Sequence, residues 1–158
     1  MAEAGTDATW QRVVRTSIRV ARRATRGSYT VGSLVVVRSR TGYVLAVKSV
    51  HHSTWTFPGG FAKRHELPRT AAARELNEEA RLMIEPEDLV DCGILFQTAA
   101  RHIDCVYTVL LDDHSHQVAP SRFGEVRGVK WIEEHRISSR LNVDGERVWQ
   151  LVTSAPPS

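Results

Sequence analysis

Cysteine, long apolar runs and the common nucleophile motifs are what this 158-residue chain has least of. Its two cysteines, Cys92 and Cys105, lack metal-ligand spacing and lie in apolar, strand-like segments, so the sequence predicts reduced core thiols; a disulfide is the lesser alternative. No stretch approaches the ~20 apolar residues of a membrane span, and the N-terminus has no continuous apolar core of a secretory signal. The expectation is a soluble, cytoplasmic protein. There is no Gly-x-Ser-x-Gly elbow and no Gly-x-x-x-x-Gly-Lys-Ser/Thr phosphate loop, so neither a serine nucleophile nor a P-loop is legible. Repeats and low-complexity segments are also missing. With 42% hydrophobic and 25% charged residues, the length suits one compact domain and leaves no room for a second.

Charge is unevenly distributed. Residues 1–30 hold six arginines (Arg12, Arg15, Arg19, Arg22, Arg23 and Arg26) against Glu3 and Asp7, while the rest of the chain is close to neutral. Five of those arginines recur at spacings of three and four, as do Trp10, Val13, Val14, Ile18 and Ala21 on another face, so residues 1–27 read as an N-terminal basic amphipathic helical extension. Its apolar stripe would pack on the domain or on a second subunit, the latter making a homodimer. Its arginines would stay solvated or touch RNA or an anionic membrane, although no interleaved aromatics offer a surface for base stacking.

Beyond it, the β-branched run from Thr30 to Arg38, a turn at Thr41-Gly42 and the run from Tyr43 to Val50 predict a hairpin. Phe57-Pro58-Gly59-Gly60 predicts a sharp change of direction. A helix is expected from Pro68, at its first position, to about Ala80, with Ala72, Leu76 and Ala80 against a sheet. Val90 to Thr98, Ile103 to Leu111 and Gly128 to Ile132 read as further strands. A closing helix covers Asp144 to Thr153, with Val148, Leu151 and Val152 inward and the last four residues frayed.

The decisive stretch is Gly60-Phe-Ala-Lys-Arg-His-Glu66-Leu-Pro-Arg-Thr-Ala-Ala-Ala-Arg74-Glu75-Leu76-Asn-Glu78-Glu79-Ala-Arg81-Leu82. On a helix, Glu75, Glu78 and Glu79 stand at i, i+3 and i+4 and share a face. Like charges at that spacing repel by a few tenths of a kcal/mol per pair, and the last turns of a helix disfavour anions. Stability alone would not select this arrangement, although a solvated acidic face with Arg74 and Glu78 as an ion pair is the plain alternative.

These residues resemble the signature of the Nudix hydrolases: a glycine, a glutamate after five residues, then after seven more an Arg-Glu-aliphatic-x-Glu-Glu-x-Gly-aliphatic block. Gly60, Glu66, Arg74, Glu75, Leu76, Glu78, Glu79 and Leu82 fall on it. Arg81 replaces the usual glycine, and Leu67 stands where a small hydroxyl residue often caps the helix. Neither departure touches a carboxylate. The resemblance implies an α/β/α sandwich with a mixed sheet flanked by helices, over residues 28–155. It further implies Glu75 and Glu79 as metal ligands, Glu78 as a ligand or water-orienting base, a Gly60 or Gly59 carbonyl as another oxygen donor, Arg74 holding the carboxylates, and Glu66 tying the loop to the helix. Oxygen donors of this kind suit Mg²⁺, or Mn²⁺, rather than zinc.

The activity implied is metal-assisted hydrolysis of the diphosphate linkage in a nucleotide, nucleotide sugar or related small molecule by water attack on phosphorus. Family members often add a later carboxylate, a position Glu125 resembles. His52, Trp55 and Phe57, with His51, precede the box and are candidates for the substrate pocket, as are Asp104 and Tyr107 on a bordering strand. His114 and His116 read as solvent-facing rather than chelating. Markers of the family's substrate subclasses are missing, beginning with the proline absent from Asp88 to Asp113. Two alternatives remain: a fold-sharing binding or regulatory module without turnover, and an enzyme acting on RNA 5′ ends.

Overall fold

A computed structural model of the chain describes residues 28–50, 53–120 and 126–154; the basic N-terminal segment lies outside them. The β-branched runs form strands β1 (Thr30–Ser39) and β2 (Tyr43–Ser49), antiparallel across the Gly42 turn. A short strand β3 (Gly59–Phe61) follows, then helix α1 (Pro68–Ala80), strands β4 (Val90–Gln97), β5 (His102–Leu111) and β6 (Val126–Glu133), and helix α2 (Val143–Ser154). The sheet runs β4-β5-β1-β2-β6, with β3 added alongside β1. It is mixed as expected, because β1 pairs parallel to β5 while every other pairing is antiparallel.

Alternation along β1 divides the core in two. Val35 and Val37 point to the face covered by α1, meeting Ala72, Leu76 and Ala80; Val36 points to the face covered by α2, meeting Val148, Trp149 and Val152. This is the three-layer α/β/α arrangement. Ala72 and Ala73, both buried in the core between helix and sheet, let α1 approach closely, since a methyl group does not hold the backbone away. Trp149, not foreseen as a core residue, stacks on Phe57 at 6.2 Å between ring centroids. Cys92 packs on the α2 side and Cys105 on the α1 side, so the two thiols stand on opposite faces of the sheet and both are free. Burial pushes both thiols above their usual pKa.

Strand β3 corrects the reading of Phe57 to Gly60 as a bare turn. Gly59 pairs with Leu34, Gly60 with Ser33 and Phe61 with Gly32, so the glycine pair is sheet backbone and fixes where the following loop begins.

Helix α1 starts at Pro68 with Leu67 as an N-cap that makes no side-chain hydrogen bond. It ends at Arg81, whose backbone is left-handed (φ 56°, ψ 29°) and whose N–H donates to the Asn77 carbonyl. A side chain in this conformation is strained where glycine is not. Arg81→Gly is therefore expected to raise stability by about 1 kcal/mol, seen as a higher urea midpoint with an unchanged slope. A lower midpoint would mean that the Arg81 side chain makes a compensating contact.

Candidate active site

Arg74 is the hub around which the loop and helix close. Its Nε donates to Glu66 Oε1 at 2.9 Å and one terminal nitrogen to Glu66 Oε2 at 3.0 Å, a two-pronged pairing. That same nitrogen also donates to the Phe61 carbonyl at 3.0 Å. The other terminal nitrogen reaches Glu75 Oε1 at 2.7 Å and Glu78 Oε2 at 3.1 Å. Only a planar guanidinium presents donors in this many directions. Glu66 also accepts the Lys63 backbone N–H at 2.7 Å, so one carboxylate ties the turn after β3 to the middle of α1.

These contacts hold the Glu66 carboxyl down at about 2, from 4.5, chiefly through the Arg74 hydrogen bonds and then the Lys63 N–H, and they push Arg74 further up. Because the folded-state value is depressed, the stabilisation is complete above pH 4.5 and is lost as pH falls from there towards 2. The expected result is a steep loss of stability across that acid window in the wild type, and a shallower one in Glu66→Gln. Identical profiles would show that Glu66 does not carry the effect.

The three glutamates of the box divide their contacts. Glu75 and Glu78 are bridged by Arg74, while Glu79 Oε2 accepts the Gly59 backbone N–H at 2.9 Å. Glu78 is the most open, with 52% of its side chain exposed and Lys63 Nζ at 3.8 Å. Gly60 lies against Glu75 so closely that a Cβ there would fall 2.5 Å from Glu75 Oε1. Glycine is needed at that point for close approach, not for a special φ. Among the described residues, no three acidic, histidine or cysteine side chains converge tightly enough to enclose a metal ion. Glu75 and Glu78 are bonded instead to the Arg74 guanidinium, and Glu79 accepts a backbone N–H. The donor chemistry still fits a hard divalent cation, because three carboxylates share one face of α1 beside the Gly59-Gly60 backbone and neither imidazole nor thiolate is among them.

Other expected site residues fall elsewhere. Phe57 is 1% exposed inside the α2-side core, so its packing against Trp149 leaves it no surface for a substrate. Tyr107 is likewise a core residue on the α1 side, with the Arg69 guanidinium 5.6 Å from its ring centroid. Trp55 borders a separate cavity of about 190 Å³ together with Tyr43, Lys130 and Trp131. His114 is half-buried rather than solvent-facing, stacked on Tyr43 at 3.8 Å and hydrogen-bonded to Thr41. His51, His52 and Glu125 lie outside the described residues.

Asp104 does border the box. It lies at the wall of a cavity of about 250 Å³ that Gly59 and Gly60 also line. Its partners there, Gln97 and His102, were not singled out in the sequence; His102 shares a strand face with Asp104 two residues on, a signal that strand alternation offered, whereas Gln97 is brought to Asp104 by cross-strand register, which nothing local marks.

A family model described as NUDIX domain matches residues 28–150. The chain belongs to that family. A MutT-like protein of Streptomyces ambofaciens is 28% identical over 107 residues, covering 68% of this chain and 65% of the relative, so the match spans just under two thirds of that protein's length. Among solved structures, the NUDIX domain of Shewanella oneidensis NrtR, complexed with ADP ribose, superposes with a TM-score of 0.70 at 16% identity, covering 87% of this chain and 96% of that one. A bifunctional NMN adenylyltransferase/ADP ribose pyrophosphatase of Francisella tularensis, complexed with AMP and a Mn ion, gives a TM-score of 0.66 at 21% identity over 90% of this chain and 46% of that one. At these identities the structures establish the shared fold. No described helix is long and apolar enough to cross a membrane.

Proposed function

We propose that this chain is a hydrolase that cleaves the diphosphate linkage of a nucleoside diphosphate derivative by water attack on phosphorus. The single observation that carries the reading is the gathering of Glu75, Glu78 and Glu79 on one helix face beside β3, with Arg74 and Glu66 holding them there, an arrangement that sets like charges side by side. Glu75, Glu79 and the Gly60 carbonyl would hold Mg²⁺ or Mn²⁺. When bound, the ion neutralises charge on the phosphate oxygens and makes water more acidic. Glu78, exposed and tethered through one oxygen to Arg74, would take a proton from the attacking water. Arg74 orients Glu75 and Glu78, and Glu66 fixes Arg74. Glu125 remains a further proposed carboxylate, and Trp55 and His52 proposed substrate contacts.

The test is a screen of purified protein, with and without Mg²⁺ or Mn²⁺, against nucleoside diphosphate derivatives, reading release of phosphate or monophosphate. Cation-dependent release supports the reading, and no release from any compound overturns it. One observation favours a second reading, a binding module without turnover: Arg74 already forms ion pairs with two of the box carboxylates. Binding of the same compounds without any hydrolysis would favour that module. For the basic segment we propose a peripheral contact with RNA or an anionic membrane, or a dimer contact. Removing residues 1–27 is expected to weaken turnover of RNA 5′ ends while sparing small nucleotides; equal rates on RNA would exclude the RNA role.

A further inference from the structure

The cavity of about 250 Å³ beside the box has a chemistry of its own. Gly59 and Gly60 are its shared wall with the carboxylates, since Gly59 N–H bonds Glu79 and Gly60 lies against Glu75. Behind them stands Asp104, 7% exposed on β5. Its two oxygens each accept one hydrogen bond at 2.8 Å, one from His102 Nε2 and one from Gln97 Nε2. His102 is fixed in turn by a 2.8 Å bond between its Nδ1 and Thr30 Oγ1. A Cβ on Gly32 would fall 2.6 Å from Asp104 Oδ1, so the absence of a side chain there makes the space that the carboxylate occupies.

Each carboxylate oxygen can accept two hydrogen bonds, and among the described residues only one is made on each, so Asp104 keeps acceptor capacity at the cavity wall. A buried carboxylate is costly unless its bonds are completed. Asp144 adds a second acid to the lining, and no lysine or arginine is among the described lining residues. Such a cavity repels phosphate and attracts an uncharged group with N–H or O–H donors. At its mouth Phe61, 64% exposed and in edge contact with His102 at 5.3 Å, offers a ring face for that group to lie on.

We infer that this cavity binds the uncharged end of the substrate through donors directed at Asp104, with Gln97 and His102 as positioning residues, and so sets substrate specificity. The donors belong to an amino-bearing nucleobase or to sugar hydroxyls. The inference rests on the hydrolase reading, because one substrate must bridge β3 with its diphosphate at the carboxylates and its uncharged end beside Asp104.

Binding is measured by calorimetry on the full chain, without turnover, so that failure here is distinct from failure of the hydrolase reading. The probes are adenosine monophosphate, its analogue lacking the exocyclic amine, ribose 5-phosphate, glucose 1-phosphate and inorganic pyrophosphate. Wild type is expected to bind either the adenosine compound better than its amine-free analogue, which assigns the base, or a sugar phosphate better than pyrophosphate, which assigns the hydroxyls. Asp104→Asn should weaken the preferred probe about tenfold to a hundredfold while leaving pyrophosphate unchanged. Gln97→Ala, on the edge strand, should weaken it less and serves if the first variant fails to fold. The inference is overturned if no organic probe binds wild type better than pyrophosphate, or if the folded variants lose affinity for all probes equally or for none.

Discussion

Glu79→Gln is expected to lower diphosphate hydrolysis by at least about a hundredfold while leaving the urea unfolding curve where it was. The two halves of that result separate charge from structure. Glutamine has the volume of glutamate and keeps a side-chain oxygen that still accepts the Gly59 N–H now bonded to Glu79 Oε2 at 2.9 Å. What it loses is the negative charge a divalent cation would need. Glu78→Gln provides the contrast: if Glu78 moves a proton rather than binding the ion, its kcat should fall while Mn²⁺ affinity, read by electron paramagnetic resonance, stays near wild type. Full activity in Glu79→Gln would remove that residue from the site and the proposed cation with it.

Arg74→Ala should cost about 3 kcal/mol of stability as well as most of the activity, because it strips the shared partner from three acids at once. The side chains of Arg74, Glu66 and Glu75 are between 13% and 19% exposed, so water replaces the lost bonds poorly. Arg74→Lys is not a rescue. A single ammonium cannot span the paired oxygens of Glu66, then Glu75, Glu78 and the Phe61 carbonyl. Millimolar Mg²⁺ should restore part of the stability of Arg74→Ala, since a cation bound only by the folded protein stabilises by linkage. No response to Mg²⁺, together with a loss well below 1 kcal/mol, would place the cluster among ordinary surface ion pairs.

Much of the site was legible because its chemistry is local in the chain. Helical spacing alone puts Arg74 four residues before Glu78, and they meet at 3.1 Å. Pro68 at the first turn and Arg81 past the last bound α1 where the sequence reading put its ends. The Thr41-Gly42 turn and the β-branched runs likewise carried the hairpin, since turn geometry and strand preference act over a few residues. Phe57 was misread for the complementary reason. Its neighbours in sequence are loop and box residues, and nothing within several positions of it announces Trp149, 92 residues on and the ring it stacks against.

By itself, then, the sequence determined the box, its helix, the mixed α/β/α arrangement that the family resemblance implied, and the identity of the residues competing for charge. Tertiary structure alone decided that Gly59 and Gly60 are a strand, that Cys92 and Cys105 face opposite ways, and that Thr30, Gln97, His102 and Asp104 meet at a cavity behind the box. The reason is register: parallel pairing sets Thr30 opposite His102 and Gly32 opposite Asp104, and antiparallel pairing sets Gln97 opposite His102. A shift of one residue would turn each side chain to the other face of the sheet, and that choice is made by the packing of the whole core.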